Sequence, residues 1–481
     1  MDVLFVQELY YDYIGVMALS AALRQKGIST DAIIERDTRK IVSYIERHSP
    51  KMVCFTVISG IHQFPVRVSR AIKDAFPGLP VIAGGPHPTF FPGYISEGPF
   101  DALCVGEGDD TIVKYYQAVT GGLPLSKVPN LIYKQDGKIH KNPVGRLIED
   151  LDQLPFPDRS IYDKYRMFRH AETKGFVTSR GCPHNCSFCY NRKAKEIYKG
   201  KGRFHRMRSP ENVVAEILAV ADSYPSLRTV LFVGDTVFYT KKWAARFLEL
   251  YREKVDLPFS GLVAADIIDE EIGRLLKQAR CHSIFFGIES GNERIRKEVL
   301  KKNISNRQII KAAAILRKNN IACRTFNMVG IPTETLENMF ETIRMNVDIS
   351  AEYPWCSIFV PYPGTELFDI AVETGELDRN FSCDQLPRSY MEKCVLERPD
   401  RSRVENIHKL FKTAVKHPGL IPLIKRLIRL RPNILFKLWF GLNYMSTIKE
   451  TERRSFSTVI PLVLKNFGFF ITRKGRSPTD A

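Results

Sequence analysis

Residues 175–190 read Gly175-Phe-Val-Thr-Ser-Arg-Gly-Cys182-Pro-His-Asn-Cys186-Ser-Phe-Cys189-Tyr190. A short β-prone run ends at Ser179, and the chain turns at once into a loop bearing three thiols in the spacing C-x3-C-x2-C. Soft thiolates at this density call for a soft metal or an iron–sulfur centre, not for magnesium or calcium. Structural zinc takes four closed ligands, commonly from paired C-x2-C knuckles, and no fourth cysteine lies nearby; His184 sits awkwardly between two of the thiols. A four-iron cluster held by three cysteines leaves one iron open. An open iron is a binding site for a chelating substrate or cofactor.

Downstream, five more apolar runs follow at Thr229–Val233, Phe259–Val263, Ser283–Phe286, Cys323–Met328 and Trp355–Val360. Helical patterns separate them, at Pro210–Ala221, Lys241–Lys254, Glu270–Ala279, Asn306–Lys318 and Leu336–Asp348. Strand and helix alternating in this way predict a partial parallel barrel, whose chemistry lies at the C-terminal mouths of its strands. Upstream, Val3–Val6, Met52–Val57, Pro80–Ala83 and Ala102–Val105 alternate with helical stretches and predict a separate doubly wound parallel sheet. Ligands of such sheets sit beyond the strand ends, where Ser59, Gly84, Gly85, Gly106 and Glu107 fall. Each of these glycines, taken singly, could also serve only a tight turn. Between the two units, prolines and glycines interrupt every periodic run, so residues 126–167 read as a linker. The expected organisation is a Rossmann-like domain over 1–125, the linker, a barrel over 168–390 and a basic helical region over 391–481.

The three-cysteine loop after the first strand of a partial barrel resembles that of the radical S-adenosylmethionine (SAM) enzymes. The resemblance implies that Cys182, Cys186 and Cys189 ligate a [4Fe-4S] cluster whose open iron chelates SAM. Reduction of that complex yields methionine and a 5′-deoxyadenosyl radical that abstracts hydrogen. It further implies that Phe188 approaches the adenine and that Asp235, in Phe232-Val-Gly-Asp235, meets the methionine amino group. Gly234 stands there where a second acid is common. Glu289 and Ser290, in Phe286-Gly-Ile-Glu289-Ser290-Gly291, are similar to the fourth-strand motif that fixes ribose or amino group. Gly330, in Gly330-Ile-Pro-Thr-Glu334, resembles the fifth-strand adenine turn, and Pro361-Tyr-Pro-Gly-Thr365 the sixth.

The N-terminal unit resembles the cobalamin (B12)-binding domain of a subgroup of that superfamily. Val81-Ile-Ala-Gly84-Gly85-Pro-His87 and Val105-Gly106-Glu107-Gly108 are similar to turns around the cobalamin nucleotide tail. The Asp-x-His-x-x-Gly loop of cobalamin mutases is missing; the stretch reads Tyr10-Tyr-Asp12-Tyr-Ile-Gly15, with no imidazole for cobalt.

The remaining features concern charge and setting. The chain has 481 residues, 44% hydrophobic and 26% charged, which excludes disorder and fibre. Ten cysteines in 481 positions and the lack of a charged-then-apolar leader after Met1 lead to the expectation of a reducing cytoplasm. The net charge of +18 is uneven: residues 401–481 hold 17 Lys+Arg against four Asp+Glu, a balance of +13 that leaves +5 for the first 400 residues. Within the tail, Leu423, Ile424, Leu427 and Ile428 share a helical face beside Lys425, Arg426 and Arg429, and Pro432 divides the segment into two helices. Such a helix can lie at a membrane surface or pack across the barrel.

The leading expectation is therefore a cobalamin-dependent C-methyltransferase acting on a small-molecule, hydrophobic or lipid-like substrate, with a flavodoxin- or ferredoxin-type electron donor. An anaerobic cyclase or C–C bond-forming enzyme without methyl transfer is the alternative. A tRNA methylthiotransferase fits less well, because no second cysteine trio and no RNA-binding module is present. A basic nucleic-acid- or membrane-binding protein with a structural cluster is the reading from another class. The lack of any recognised nucleic-acid module leads to the expectation that nucleic acid is not a partner.

Overall fold

A computed structural model describes residues 1–234 and 237–452, apart from the side chains of Ile448 and Glu452. The N-terminal sheet has seven strands: β1 (Val3–Gln7), β2 (Thr30–Ile34), β3 (Met52–Thr56), β4 (Val81–Gly84), β5 (Ala102–Cys104), β6 (Leu131–Gln135) and β7 (Lys138–Lys141). Their order is β2-β1-β3-β4-β5-β6-β7, with β1 to β5 parallel. The parallel strands read as unbroken apolar runs because helices cover both faces and water reaches neither. Order reverses between β1 and β3, and a crevice opens there at the carboxyl ends.

Two elements differ from the sequence expectation. Strand β2 occupies Thr30–Ile34, where Thr30 and Asp31 disguise an otherwise apolar run. The linker also contributes the hairpin β6–β7, which adds antiparallel to β5. Its turn residues Asp136 and Gly137 both have positive φ, at 51° and 71°, as a two-residue hairpin turn requires. Gly137 thus ends one strand only to start the next.

The second sheet holds six parallel strands in the order β15-β14-β13-β12-β11-β8. These are β8 (Thr173–Phe176), β11 (Thr229–Phe232), β12 (Phe259–Leu262), β13 (Cys281–Glu289), β14 (Ala322–Val329) and β15 (Tyr353–Ile358). A separate antiparallel pair, β9 (Ser179–Arg180) with β10 (Arg206–Met207), brackets the cysteine loop. The first barrel strand therefore ends at Phe176, three residues earlier than its β-prone run suggests. Strand β14 alternates strictly, with Cys323, Thr325, Asn327 and Val329 buried under helices and Arg324, Phe326 and Met328 partly open. An open six-stranded barrel exposes its inner face in this way.

The C-terminal region is not a separate body up to Leu430. Val404, Ile407, Phe411 and Ala414 of the helix Arg401–Lys416 share one apolar cluster with Val329 of β14 and Ile358 of β15. Two further helices follow, Ile421–Leu427 and Ile434–Glu452, parted around Pro432 as expected. Among the described residues no helix is long and apolar enough to cross a membrane.

Candidate functional site

The cysteine loop is pinned at several points that its own sequence does not reveal. Lys195, on the helix that follows, donates to the carbonyl oxygens of Pro183 at 2.7 Å and His184 at 2.8 Å, and to Asn185 Oδ1 at 2.7 Å. Buried Ser187 donates through its hydroxyl to Val299 O at 2.6 Å and through its amide to Leu300 O at 3.0 Å. Gly181, with φ of 75°, precedes the first cysteine, and a Cβ there would collide with the Phe204 carbonyl. Phe188 packs against the cluster built by Ile295, Leu300, Ile358 and Leu367.

The three thiols are half-buried, and none is in a disulfide. Burial pushes the Cys186 thiol up to about 11; Lys302 opposes this, while Cys189, Glu289 and Cys182 are close enough to add to it. The Cys186 thiolate is therefore favoured only once a metal compensates it. Among the described residues, His62, His87 and Glu97 bring three metal-ligating donor atoms within 4.8 Å of one another. In the histidine group the rings of His62 and His87 stack at 4.3 Å with 23° between planes, so their in-plane lone pairs do not converge.

Glu289 closes β13 beyond a register shift, at φ of 62°, and its carboxylate pairs with Lys302 Nζ at 2.9 Å. Gly287 leaves the room in which that pair sits. Ser290 is buried; its hydroxyl accepts from the Asn292 amide at 3.3 Å. Gly330, at φ of 75°, and Ile331 donate their amides to Glu334 Oε2 at 2.9 and 3.2 Å. Burial pushes Glu334 up to about 8, against those amides and Arg398. Asp235 lies outside the described residues.

At the seam of the two sheets lies a cavity of about 560 Å³. Phe5, Cys54, Ile82 and Cys104, on β1, β3, β4 and β5, line its apolar part. Leu151, Leu154, Pro155 and Pro157 of the linker line another side, and Val177, Ser179, Arg180, Gly181 and Arg208 bring the barrel mouth to it. Gly84, Gly85, Gly106 and Glu107 all line it. A Cβ on Gly108 would come within 3.1 Å of Leu19 Cδ2, itself part of the wall, and one on Gly85 within 3.0 Å of the Val57 carbonyl oxygen, so these turns leave no room for a side chain. An apolar slot lined by glycine backbone fits a flat, bulky group such as the cobalamin nucleotide tail. No histidine is among the residues lining the cavity.

Ser59 is not part of that wall. Its hydroxyl lies 2.9 Å from His87 Nδ1, behind the Gly84-Gly85 turn. Burial, and then His62, push the His87 imidazole down to about 3, so it stays neutral and serves as packing.

An ionic seam holds the cavity's two halves together. Arg180 forks onto Asp109 at 2.7 and 2.9 Å, and buried Arg206 reaches Glu107 at 2.6 Å. Burial works against the Asp109 carboxylate, but Arg180 more than offsets it and holds it below the ordinary range. Tyr198, from the helix after the cysteine loop, accepts the Glu107 amide at 2.7 Å, and a Cβ on Gly106 would collide with its hydroxyl. Sequence reading missed Asp109, Tyr198 and Arg206. The signal within reach was Arg180-Gly181, directly before Cys182.

Comparison with known proteins agrees with this arrangement. Residues 176–345 match the radical SAM superfamily and residues 3–115 match the B12 binding domain. An uncharacterized methyltransferase of Pyrococcus horikoshii is 30% identical over 340 residues, 69% of this chain and 72% of that protein. The chain belongs to the radical SAM superfamily and carries an N-terminal B12 binding domain. It is accordingly a radical SAM enzyme, and the cofactors of its two domains are a [4Fe-4S] cluster, SAM and cobalamin.

The anaerobic magnesium-protoporphyrin IX monomethyl ester cyclase of Rubrivivax gelatinosus is 26% identical over 352 residues, 70% of this chain and 61% of that protein. Among solved structures, the cobalamin-dependent radical enzyme OxsB with aqua-cobalamin and SAM bound shares the fold. Its TM-score is 0.67 at 15% identity, over 98% of this chain and 75% of that one. The radical SAM methyltransferase TsrM of Kitasatospora setae shares it at a TM-score of 0.64 and 17% identity, over 78% and 76%.

Proposed function

We propose that this enzyme is a cobalamin-dependent C-methyltransferase that places a methyl group on an unactivated carbon of a hydrophobic small molecule. The observation that supports it most is the shared cavity: the glycine cradle of the first sheet and the start of the cysteine loop line one space. In this reading Cys182, Cys186 and Cys189 hold the cluster, and Gly84, Gly85, Gly106 and Glu107 hold the corrin tail. When bound, these groups supply SAM cleavage and methyl carriage.

The chain's own part is positioning and exclusion of water. Lys195 and Ser187 hold the thiols in place, and the Asp109–Arg180 and Glu107–Arg206 pairs keep the barrel mouth against the first sheet. Glu289 and Ser290 are assigned to SAM, with Gly330 shaping the adenine turn and Phe188 at its edge. Asp235 keeps its assignment to the methionine amino group on sequence alone. The electron comes from a flavodoxin- or ferredoxin-type donor.

The similarity to the Rubrivivax cyclase favours a second reading, ring closure without methyl transfer. Anaerobic reconstitution with iron, sulfide and hydroxocobalamin, followed by reaction with methyl-deuterated SAM in a lipid extract, separates the two. Methyl transfer gives products heavier by one labelled methyl group per turnover, together with cobalt retained after desalting. Consumption of SAM with no labelled product overturns the methyltransferase.

A further inference from the structure

Exposed large apolar side chains are not scattered evenly over this protein. Fourteen are described, and eight of them fall between residues 420 and 442: Leu420, Leu423, Leu430, Ile434, Leu435, Leu438, Trp439 and Leu442. Single exposed leucines are ordinary, but a contiguous group marks an interaction surface.

The helix Ile434–Glu452 explains the group. At about 100° per residue, positions 434, 435, 438, 439 and 442 fall within one arc of roughly 140°. On the other side of the helix Phe436 packs on the apolar cluster of the barrel, and Phe440 lies 4.8 Å from the buried His408 ring. The helix is thus apolar on two faces, and only one of them is covered among the described residues. Leu435 at 71% and Ile434 at 65% exposure are its most open positions.

The charge around this face decides what covers it. Between Asn406 and Lys449 the chain has nine Lys and Arg and no acidic residue. Arg426, Arg429, Arg431 and Lys437 are exposed beside the bare leucines, and none forms an ion pair with a described residue. An apolar strip with Trp439 at its edge and a cationic border matches an anionic bilayer surface, where acyl chains take the leucines and headgroups take the cations. A second copy of this chain would bring the same cations into opposition. We infer that the Ile434–Leu442 strip docks this enzyme on anionic lipid membranes.

The placement has a consequence. The same helix reaches the barrel by its far side, with Tyr444 5.5 Å from Trp355 of β15 and Thr451 accepting from Arg324 of β14 at 3.4 Å. A bilayer seated on the strip therefore lies next to the open edge of the barrel. The docking surface stands on exposure and charge alone and does not depend on which reaction the site performs.

The test is flotation of the full-length, reconstituted enzyme with vesicles of phosphatidylcholine containing about 30 mol % phosphatidylglycerol, beside vesicles of phosphatidylcholine alone. The enzyme is expected to float with the anionic vesicles and at least tenfold less with the neutral ones. Leu435→Ser with Leu438→Ser and Leu442→Ser should lower flotation at least tenfold while iron and cobalt content stay as in the parent. Arg426→Glu with Arg429→Glu should abolish the preference for anionic lipid and leave the same cofactor content. Enzyme that stays with the soluble fraction, whether as a monomer or as a dimer by light scattering, overturns the proposal. So does flotation that the serine variant does not change.

Discussion

The cysteine loop and the seam cavity meet at Arg180 and Gly181, yet they are built in opposite ways. The loop packs three metal-binding side chains into eight consecutive residues; Lys195 on the next helix holds it locally, while Ser187 ties it to Val299 and Leu300 far along the chain. The cavity draws its wall from positions as far apart as Phe5 and Gly234, across two sheets and a linker. What the difference teaches is that ligand chemistry can be local while the space for a large cofactor cannot.

The contrast can be tested from its strongest side downward. Cys182→Ala is expected to abolish SAM cleavage and the iron–sulfur absorption while cobalt retention persists, read by spectra after desalting. Equal loss of both cofactors would show that the loop and the cavity are one unit. Arg180→Ala breaks a forked pair whose members are 26% and 9% exposed. It should cost about 3 kcal/mol in chemical unfolding, because it strands the Asp109 carboxylate.

That pair carries a pH signature. The Asp109 carboxyl lies below its ordinary value in the folded chain, so its contribution is present above the ordinary carboxylate range and is lost as pH falls through the depressed one. Acid unfolding of the parent should therefore be steeper than that of Arg180→Ala.

Gly106→Ala forces a side chain into φ of 94° and against Tyr198, at about 1–3 kcal/mol. Corrin retention should drop while the iron content of the protein holds. Lys195→Met removes three hydrogen bonds from the loop and should cost about 1 kcal/mol, with the effect seen as faster loss of iron to a chelator and not as loss of cobalt.

A separate, pH-dependent effect is expected at Glu334, which both regions leave aside. Its pKa is raised from 4.5 to about 8, so the folded state holds the acid neutral. Stability from this group is full below the unfolded value, declines as pH rises, and is gone above about 8. Glu334→Gln should flatten the melting temperature across that window.

Much of this molecule is legible from its chain alone. Parallel strands buried on both sides read as unbroken apolar runs, and glycines at their ends mark where the cavity meets backbone, as Gly84, Gly85 and Gly106 do. Strand β2 was hidden because its polar residues, Thr30 and Asp31, find partners only in the fold: Ser20 for the first, Lys164 and Tyr44 for the second. The hairpin at Asp136-Gly137 was hidden because a glycine in a Pro- and Gly-rich stretch looks like a breaker until a neighbouring strand accepts the pair. Of the tail, Ile424 and Ile428 face inward as the helical pattern requires, whereas Leu423 is 49% exposed.

Sequence by itself determined the two parallel sheets, the sulfur trio and the glycine turns, because each depends on residues near one another along the chain. Tertiary structure alone decided that Ser59 leans on His87 and away from the cavity, that Arg180 and Arg206 lock one domain onto the other, and that one helix of the tail has an apolar face uncovered among the described residues. Those outcomes rest on which distant groups meet once the chain is compact. A hydrogen bond or an ion pair between residues a hundred positions apart leaves no trace in the order of either neighbourhood.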